Sequence, residues 1–395
     1  VNRSSLVEST AALLAFARDG RERDAGARSG GNREGGSQDR GPRDSGGRAS
    51  VVHLPDHWFI VGLASELKED PLATELFGTP LVVFRDAQGN AATLLDRCPH
   101  RNVPLSLGTR ASDGTLQCAY HGWRFGGDGG CRFVPSRVHQ SEVKARGAHA
   151  FPTLEQDGFI WVYSTPFHGD VPPLPDRKPH RFATMGAAGY ETVVQVVEAE
   201  GTLYSTLENA LDVPHTAFLH RGLFRTESRN LTITAHVNRT AEAVEAEYVG
   251  EPRPTGLVAK ILSPSGGVVT HFDRFLLPSV AQVEYRIGAE NHLLVDSVMT
   301  PLSDFRTRVY AVVSFRTRFP AAAVRPFVKP LALRIFEQDA FMLQKQTETI
   351  RTFGGEQFAS TEIDVLGRHI WKLLRSAESG EPVGPDERGT VSLVV

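Results

Sequence analysis

Residues 98–123, CPHRNVPLSLGTRASDGTLQCAYHGW, hold two of the three cysteines of this 395-residue chain. Each lies within three positions of a histidine: Cys98 and His100 form a Cys-x-His pair, Cys118 and His121 a Cys-x2-His pair, and 17 residues separate the two. Zinc modules usually pair Cys with Cys and His with His, so this alternating order fits a tetrahedral zinc site poorly. It suits a binuclear centre gripped by two loops, each offering one thiolate and one imidazole.

The flanking sequence places the stretch in an all-β unit. From VVHLPDHWFIVG to Tyr163, short β-rich runs (PLVVFRD, AATLLD, GTLQCAY, GFIWVYS) alternate with turn signals such as AQGN, which predicts a small all-β domain over residues 51–167. The proline-rich FHGDVPPLPDRKPH predicts a linker over 168–180. Residues 181–395 hold a helical stretch near 201–220, then the strands NLTITAHV, AVEAEYVG, VVTHFDRFLL, AQVEYRI, HLLVDSVM and TRVYAVVSF, then a long helix from about Ala321 to Thr352. These strands meander without intervening helices, and no internal repeat is visible, so the expected class is α+β with an antiparallel sheet in the second domain. Residues 1–50 open with capping-box spacing at Ser5 and Glu8, but from Asp19 to Arg48 they have almost nothing to bury; a disordered leader is expected.

Composition narrows the partners. With 43 basic against 46 acidic side chains the formal charge is −3, which argues against nucleic acid or an anionic membrane and favours a small, roughly neutral ligand. At 41% hydrophobic residues the chain can bury two cores, and no apolar run approaches membrane-spanning length. Three cysteines cannot build a disulfide framework and the start shows no signal-peptide pattern, so a soluble protein of the reducing cytoplasm is expected.

Cys98-x-His100, a long spacer and Cys118-x2-His121 followed by Gly122-Trp123 resemble the signature of the Rieske family. The resemblance implies a 2Fe-2S cluster with Cys98 and Cys118 on one iron and His100 and His121 on the other, a ligand set that raises the potential above that of an all-thiolate cluster. Respiratory-chain members carry two further cysteines; Val103 and Tyr120 stand at those positions here, so an oxygenase-type cluster of lower potential is implied. Gly126 departs from the Asp that ring-hydroxylating oxygenases often show after HGWRF, outside the ligand set, and Cys131, with no histidine nearby, reads as structural.

The second domain offers a destination for electrons. In LENALDVPHTAFLH, Asp212, His215 and His220 follow the pattern D-x2-H-x4-H, and two imidazoles near a carboxylate begin a 2-His-1-carboxylate set for non-haem Fe(II). On a regular helix, residues five apart point about 140° from each other, so both histidines reach one metal only where the helix is irregular, as Pro214 predicts. For the remaining carboxylate, LALRIFEQDAFMLQKQTETI offers Asp339, set in a helical stripe with Ile335, Phe336, Met342 and Leu343, while Glu337 and Glu348 can reach solvent. A carboxylate in an apolar stripe needs compensation, either from a metal or from Arg334 or Lys345.

Over residues 51–375 the chain resembles the α subunit of Rieske non-haem iron oxygenases, in form nearest the vanillate demethylase and pheophorbide oxygenase branch. That resemblance implies a Rieske domain followed by a catalytic domain of the helix-grip (START-like) type, with His215, His220 and Asp339 on the mononuclear iron. Asp212 is implied as a bridge on the electron route, linking a cluster histidine to an iron histidine across a subunit boundary in a homotrimer. It further implies a separate NAD(P)H-dependent reductase, with or without a ferredoxin, dioxygen, and hydroxylation or oxidative demethylation of an apolar or aromatic substrate in preference to cis-dihydroxylation. Leu203, Leu207, His271, Phe272, His292 and Phe336 are candidate cavity lining. Two other classes stay open at this point: a Rieske electron carrier with a hydrophobe-binding domain, and a zinc-stabilised binding module.

Overall fold

The structure, a computed structural model, describes residues 49, 51, 53–137, 146–169, 174–220, 232–251, 269–288, 291–317 and 321–394. The expected leader, except Ala49, and residues 170–173 of the expected linker lie outside the described residues. The described residues cluster as one compact unit.

Strands punctuated every few residues by turn formers stay short, and the first half folds as three small antiparallel sheets. The strands are β1 (Trp58–Leu63), β2 (Leu72–Leu76), β3 (Thr79–Arg85), β4 (Ala91–Leu95), β5 (Thr109–Arg110), β6 (Leu116–Gln117), β7 (Arg124–Phe125), β8 (Cys131–Phe133), β9 (Ala150–Phe151), β10 (Thr153–Gln156) and β11 (Phe159–Tyr163). They pair in the orders β1-β11-β10, β2-β3-β4-β9 and β5-β6-β7-β8. The last of these is a minimal scaffold: Cys98 and His100 lie in the connection that enters it from β4, and Cys118 and His121 in its β6–β7 connection. Its core contains Phe84, Leu94, Leu105, Leu116 and Phe125, with Cys98, Cys118 and Cys131 packed into the same cluster.

The second half is built on one eight-stranded antiparallel sheet. Its strands are β12 (Glu191–Ala199), β13 (Thr232–Arg239), β14 (Ala243–Val249), β15 (Val269–Leu276), β16 (Val280–Ile287), β17 (Asn291–Ser303), β18 (Arg306–Arg316) and β19 (Glu387–Val394), in the order β12-β18-β17-β16-β15-β14-β13-β19. Period-two alternation gives the sheet one face for the interior and a second that is polar except where Val280, Val298, Tyr310 and Val312 pack on Trp58, Ile60, Phe159 and Trp161 of the first half. Three helices cover the interior face: α1 (Leu203–Ala210), α2 (Ala321–Phe353) and α3 (Gly367–Ser379). Helix α2 packs Val328 and Ala332 on Val193, Val313 and Phe315, at the β12/β18 end. Helix α3 packs Ile370, Leu373 and Leu374 into the cluster that holds Ile233, Ala235 and Val244, at the β13/β14 end. A long helix packed on one antiparallel sheet is the helix-grip arrangement that the family resemblance implies.

The two halves share backbone hydrogen bonds as well as packing. Phe77 and Gly78 donate to the carbonyls of Pro301 and Leu302 at 2.7 Å each, and Thr300 Oγ1 donates to the Ile60 carbonyl at 2.6 Å.

Some expectations need correction. The helix near 201–220 stops at Ala210, and the chain turns through Leu211 and Asp212 into a 3-10 turn at Pro214–Ala217. Met342 is 48% exposed, so the buried stripe of α2 runs through Leu331, Ile335, Phe336, Asp339 and Leu343 without it. Strands β12 and β19 and helix α3 were not anticipated.

Candidate metal centres

The two Cys/His loops are near copies of each other. Cys98 donates its N–H to the Val103 carbonyl at 2.9 Å and accepts from Asn102 at 2.8 Å; Cys118 donates to Trp123 at 2.8 Å and accepts from Gly122 at 3.1 Å. At the fourth position after each cysteine the backbone is left-handed, with φ of 60° at Asn102 and 67° at Gly122. Each loop thus closes a five-residue ring that points its cysteine inward. Cys98 and Cys118 are each 2% exposed, whereas His100 is half-buried and His121 exposed. The imidazoles meet edge to face at 4.6 Å, and His100 stacks on Trp123 at 4.6 Å with the planes 6° apart.

This donor set fits a binuclear cluster. Burial, opposed by backbone donors and reinforced by the neighbouring Cys118, pushes the Cys98 thiol up to about 11, so two adjacent bare thiolates are unfavourable unless a cation takes them. His100 Nδ1 is buried without a hydrogen-bond partner. The order of exposure puts the thiols inside and the imidazole edge at the surface.

The second centre forms where α1 gives way to the 3-10 turn. Pro214 has no N–H to give to a helix, and Asp212 Oδ2 accepts the His215 N–H at 3.2 Å, which starts the tighter turn. Winding at three residues per turn and then leaving the helix over residues 218–220 brings the two histidines to the same side. Their Nε2 atoms lie 3.2 Å apart. Asp339, reaching down from α2, places Oδ1 3.1 Å from His220 Nε2 and 3.6 Å from His215 Nε2.

These separations suit one metal ion. Ligands about 2.1 Å from a cation and at right angles to each other stand about 3 Å apart. Among the described residues, His215, His220 and Asp339 are the one group of three metal-ligating side chains whose donor atoms all lie within 4.8 Å of one another. Asp339 Oδ1 makes no hydrogen bond although it is buried. Burial would raise the Asp339 pKa, and the two imidazoles outweigh it and hold the carboxyl below the usual range. The alternative counter-ion Lys345 pairs instead with Glu348 at 2.8 Å.

The outer nitrogens of both histidines face acceptor oxygens. His215 Nδ1 faces Asp212 Oδ2 at 3.4 Å, and His220 Nδ1 lies 3.0 Å from Gln338 Oε1, one residue before Asp339. Gln338 was not singled out in the sequence, though its position next to Asp339 on the same helix was the available signal.

A cavity of about 210 Å3 opens from this site under the sheet. Of the expected lining residues it takes His271 and Phe336. Leu203 and Leu207 belong to the core behind it. Phe272 and His292 fall on the opposite face of the sheet, where His292 Nε2 lies 2.9 Å from Glu284 Oε1 and Arg274 sits over the Phe272 ring. The reason is register: His271 faces the cavity, so its neighbour Phe272 cannot. Glu251, Asp273 and Tyr285 line the cavity and were not anticipated; His271-Phe272-Asp273, with two polar residues at strand spacing, was the signal.

Comparison with known proteins agrees with this geometry. Residues 57–145 match the Rieske 2Fe-2S domain family and residues 201–379 the vanillate O-demethylase oxygenase C-terminal domain family. The chain is 39% identical over 177 residues to chloroplastic chlorophyllide a oxygenase of Chlamydomonas reinhardtii, covering 43% of this chain and 25% of that protein. It is 33% identical over 172 residues to the oxygenase component of dicamba O-demethylase of Stenotrophomonas maltophilia, covering 43% and 49%. These matches thus span half or less of the relatives' length. The fold is shared with the crystal structure of dicamba monooxygenase bound to 3,6-dichlorosalicylic acid, with a TM-score of 0.72 and 22% identity over 83% of this chain and 98% of that one. A Rieske domain joined to a vanillate demethylase-type domain, with two histidines and a carboxylate converging in the second, shows that the chain belongs to the Rieske-type non-haem iron oxygenases, in their vanillate- and pheophorbide-type branch.

Proposed function

We propose that this protein uses dioxygen, and electrons from a separate NAD(P)H-dependent reductase with or without a ferredoxin, to hydroxylate or oxidatively demethylate a small apolar or aromatic molecule. The observation that carries the reading is the opening of the His215, His220 and Asp339 site onto a mostly apolar cavity. When bound, a 2Fe-2S cluster supplies single electrons and a ferrous ion with open positions supplies dioxygen chemistry.

The residues of the chain do the rest. Cys98, Cys118, His100 and His121 would hold the cluster, and His215, His220 and Asp339 the iron. Asp212 keeps His215 in the tautomer whose Nε2 faces the metal site and gives its other side a carboxylate through which a second centre can couple. Val197, Val283, Val295, Val309, Leu331 and Phe336 line the cavity with hydrocarbon, which excludes water and orients an apolar ligand toward the histidines. Its volume suits a compound of one or two rings. The similarity to a dicamba O-demethylase supports demethylation as one outcome. A carrier that merely binds a hydrophobe has no use for a metal site that opens into the binding cavity. The proposal includes a soluble cytoplasmic homotrimer.

The test is oxygen and NADH consumption by the purified, metal-loaded chain with a surrogate reductase, screened over methoxylated and plain aromatic compounds. Substrate-dependent uptake with a product one oxygen heavier, or one methyl lighter, is expected. Iron and sulfide should total about three and two per chain. Product absent from every reaction, or zinc without sulfide, would defeat the reading.

A further inference from the structure

The lining of the cavity includes a second polar cluster that the metal site leaves unused. Across the interior face of the sheet, one row of paired residues reads Val313, Val295, Val283, Asp273, Ala246, Val237 from β18 to β13, a single carboxylate among small apolar side chains. In the neighbouring row His271 lies between Tyr285 and Tyr248, its ring stacked on theirs at 4.0 and 4.7 Å. Its Nδ1 is 2.6 Å from Glu251 Oε2 and its Nε2 is 3.0 Å from Asp273 Oδ1. The three side chains are 1%, 4% and 3% exposed, and all of them line the cavity that also holds His215, His220 and Asp339. A buried ionic cluster costs stability wherever it replaces hydrocarbon, so its place on the wall of a ligand cavity calls for a ligand that uses it.

The hydrogen-bond inventory says which kind. Each ring nitrogen faces a carboxylate oxygen, an arrangement that favours the doubly protonated ring; burial alone would lower the His271 pKa, and Asp273 and Glu251 outweigh it and raise it to about 10. Both N–H groups are committed to the two carboxylates, and an imidazolium has no other donor. The Tyr248 hydroxyl also hydrogen-bonds Asp273, and the two carboxylates of the cluster, with lone pairs on both oxygens, can only accept. A ligand group meeting them must donate, and a carboxylate on the ligand meets like charge in a low-dielectric site.

We infer that Glu251, His271 and Asp273 form the specificity cluster of the substrate cavity, binding an N–H or O–H donor on an aromatic ligand and rejecting a carboxylate at the same position. The inference rests on the proposed reading of the cavity as a substrate site.

Four ligands of one shape test it: 4-methoxyphenol, 4-methoxyaniline, 4-methylanisole and 4-methoxybenzoate, measured by equilibrium dialysis against the full-length, metal-loaded protein. The phenol and the aniline are expected to bind at least roughly tenfold tighter than the benzoate, with the methyl compound between. In Asp273→Asn, which can turn a donor toward the ligand, the phenol-to-benzoate ratio is expected to fall to within about threefold. Glu251→Gln is expected to narrow it in the same direction, and it carries the test if the first variant fails to fold. Benzoate binding equal to or tighter than the phenol overturns the inference, as does an unchanged ratio in the folded variants or no binding by any of the four. Dialysis needs no turnover, so the expected binding order without product from any ligand defeats the oxygenase reading alone. Product without that binding order defeats this inference alone.

Discussion

His220 is clamped by two consecutive residues of one helix: its Nδ1 meets Gln338 Oε1 at 3.0 Å while its Nε2 faces Asp339 Oδ1 at 3.1 Å. Neighbouring residues on a helix point about 100° apart, so one side chain can take the outer nitrogen and the next can share the metal side. The donor at Nδ1 fixes the tautomer and leaves Nε2 a lone pair for iron. Gln338→Leu, of similar size but unable to accept, is therefore expected to weaken Fe(II) affinity roughly 10- to 100-fold, and Gln338→Glu to preserve it. Titration of the apo protein with Fe(II) in competition with a chelator reads this without turnover; equal affinities for the leucine variant and the parent would show that Gln338 only fills space. At this scale the sequence spoke unevenly. Asp339 was legible because an acid inside an apolar helical stripe is anomalous. Gln338, polar at an ordinary position, was not. Asp273 carried the same anomaly within a strand but needed the cross-strand register to show that its whole row is apolar.

The cluster loops show how an element is specified by backbone shape rather than by side chain. Both close with a left-handed residue, yet one uses Asn102 and the other Gly122. Asn tolerates this region through local hydrogen bonding, and here its Oδ1 accepts from Arg97 Nε at 2.9 Å. At Gly122 a Cβ would also approach Pro135 Cγ to 3.1 Å, so a branched side chain meets strain and a neighbour together. Gly122→Val is expected to cost roughly 1–3 kcal/mol locally and to lower the 2Fe-2S content, while Asn102→Gly leaves it nearly intact. Visible absorbance of the cluster and sulfide per chain check both; full occupancy in Gly122→Val would show that the loop closes by other means. The Cys-x-His and Cys-x2-His spacings were readable at sight, but the matched rings were not, because they are made of backbone bonds. Strands β13 to β16 were legible from alternation, and β17 and β18, each with a run of seven consecutive buried residues, from their apolar content. Strand β19 was not, since it lies at the sheet edge with Leu393 its one buried side chain, and an exposed strand has no hydrophobic period. Helix α3 had the signal in Ile370, Leu373, Leu374 and Ala377, spaced i, i+3, i+4 and i+7.

For the molecule as a whole, the open matter is how a centre in the first half serves a centre in the second. Bulky apolar side chains stand exposed beside both: Leu107 and Tyr120, 66% and 61% exposed, flank the Cys/His loops, and Phe218, 85% exposed, lies between the two iron-site histidines in the chain. Large exposed apolar groups at two separate functional edges suit a head-to-tail contact, and a heterologous contact that closes makes a ring. Under the proposed trimer, electrons cross from one copy to the next. Two inactive variants then separate this from transfer inside one chain: His121→Ala, which cannot hold the cluster, and Asp339→Ala, which cannot hold the iron. Co-expressed in equal amounts, they should assemble at random, and about a quarter of the interfaces will pair an intact cluster with an intact iron site in the required direction. Substrate-dependent NADH oxidation should therefore recover to about a quarter of the parental rate per chain, while separately purified variants remain inactive. Transfer within a single chain predicts no recovery, because every chain lacks one centre. A mixed assembly that sizes as a trimer and stays inactive would place the electron route inside one copy and remove the proposed role of Asp212 as a bridge between subunits.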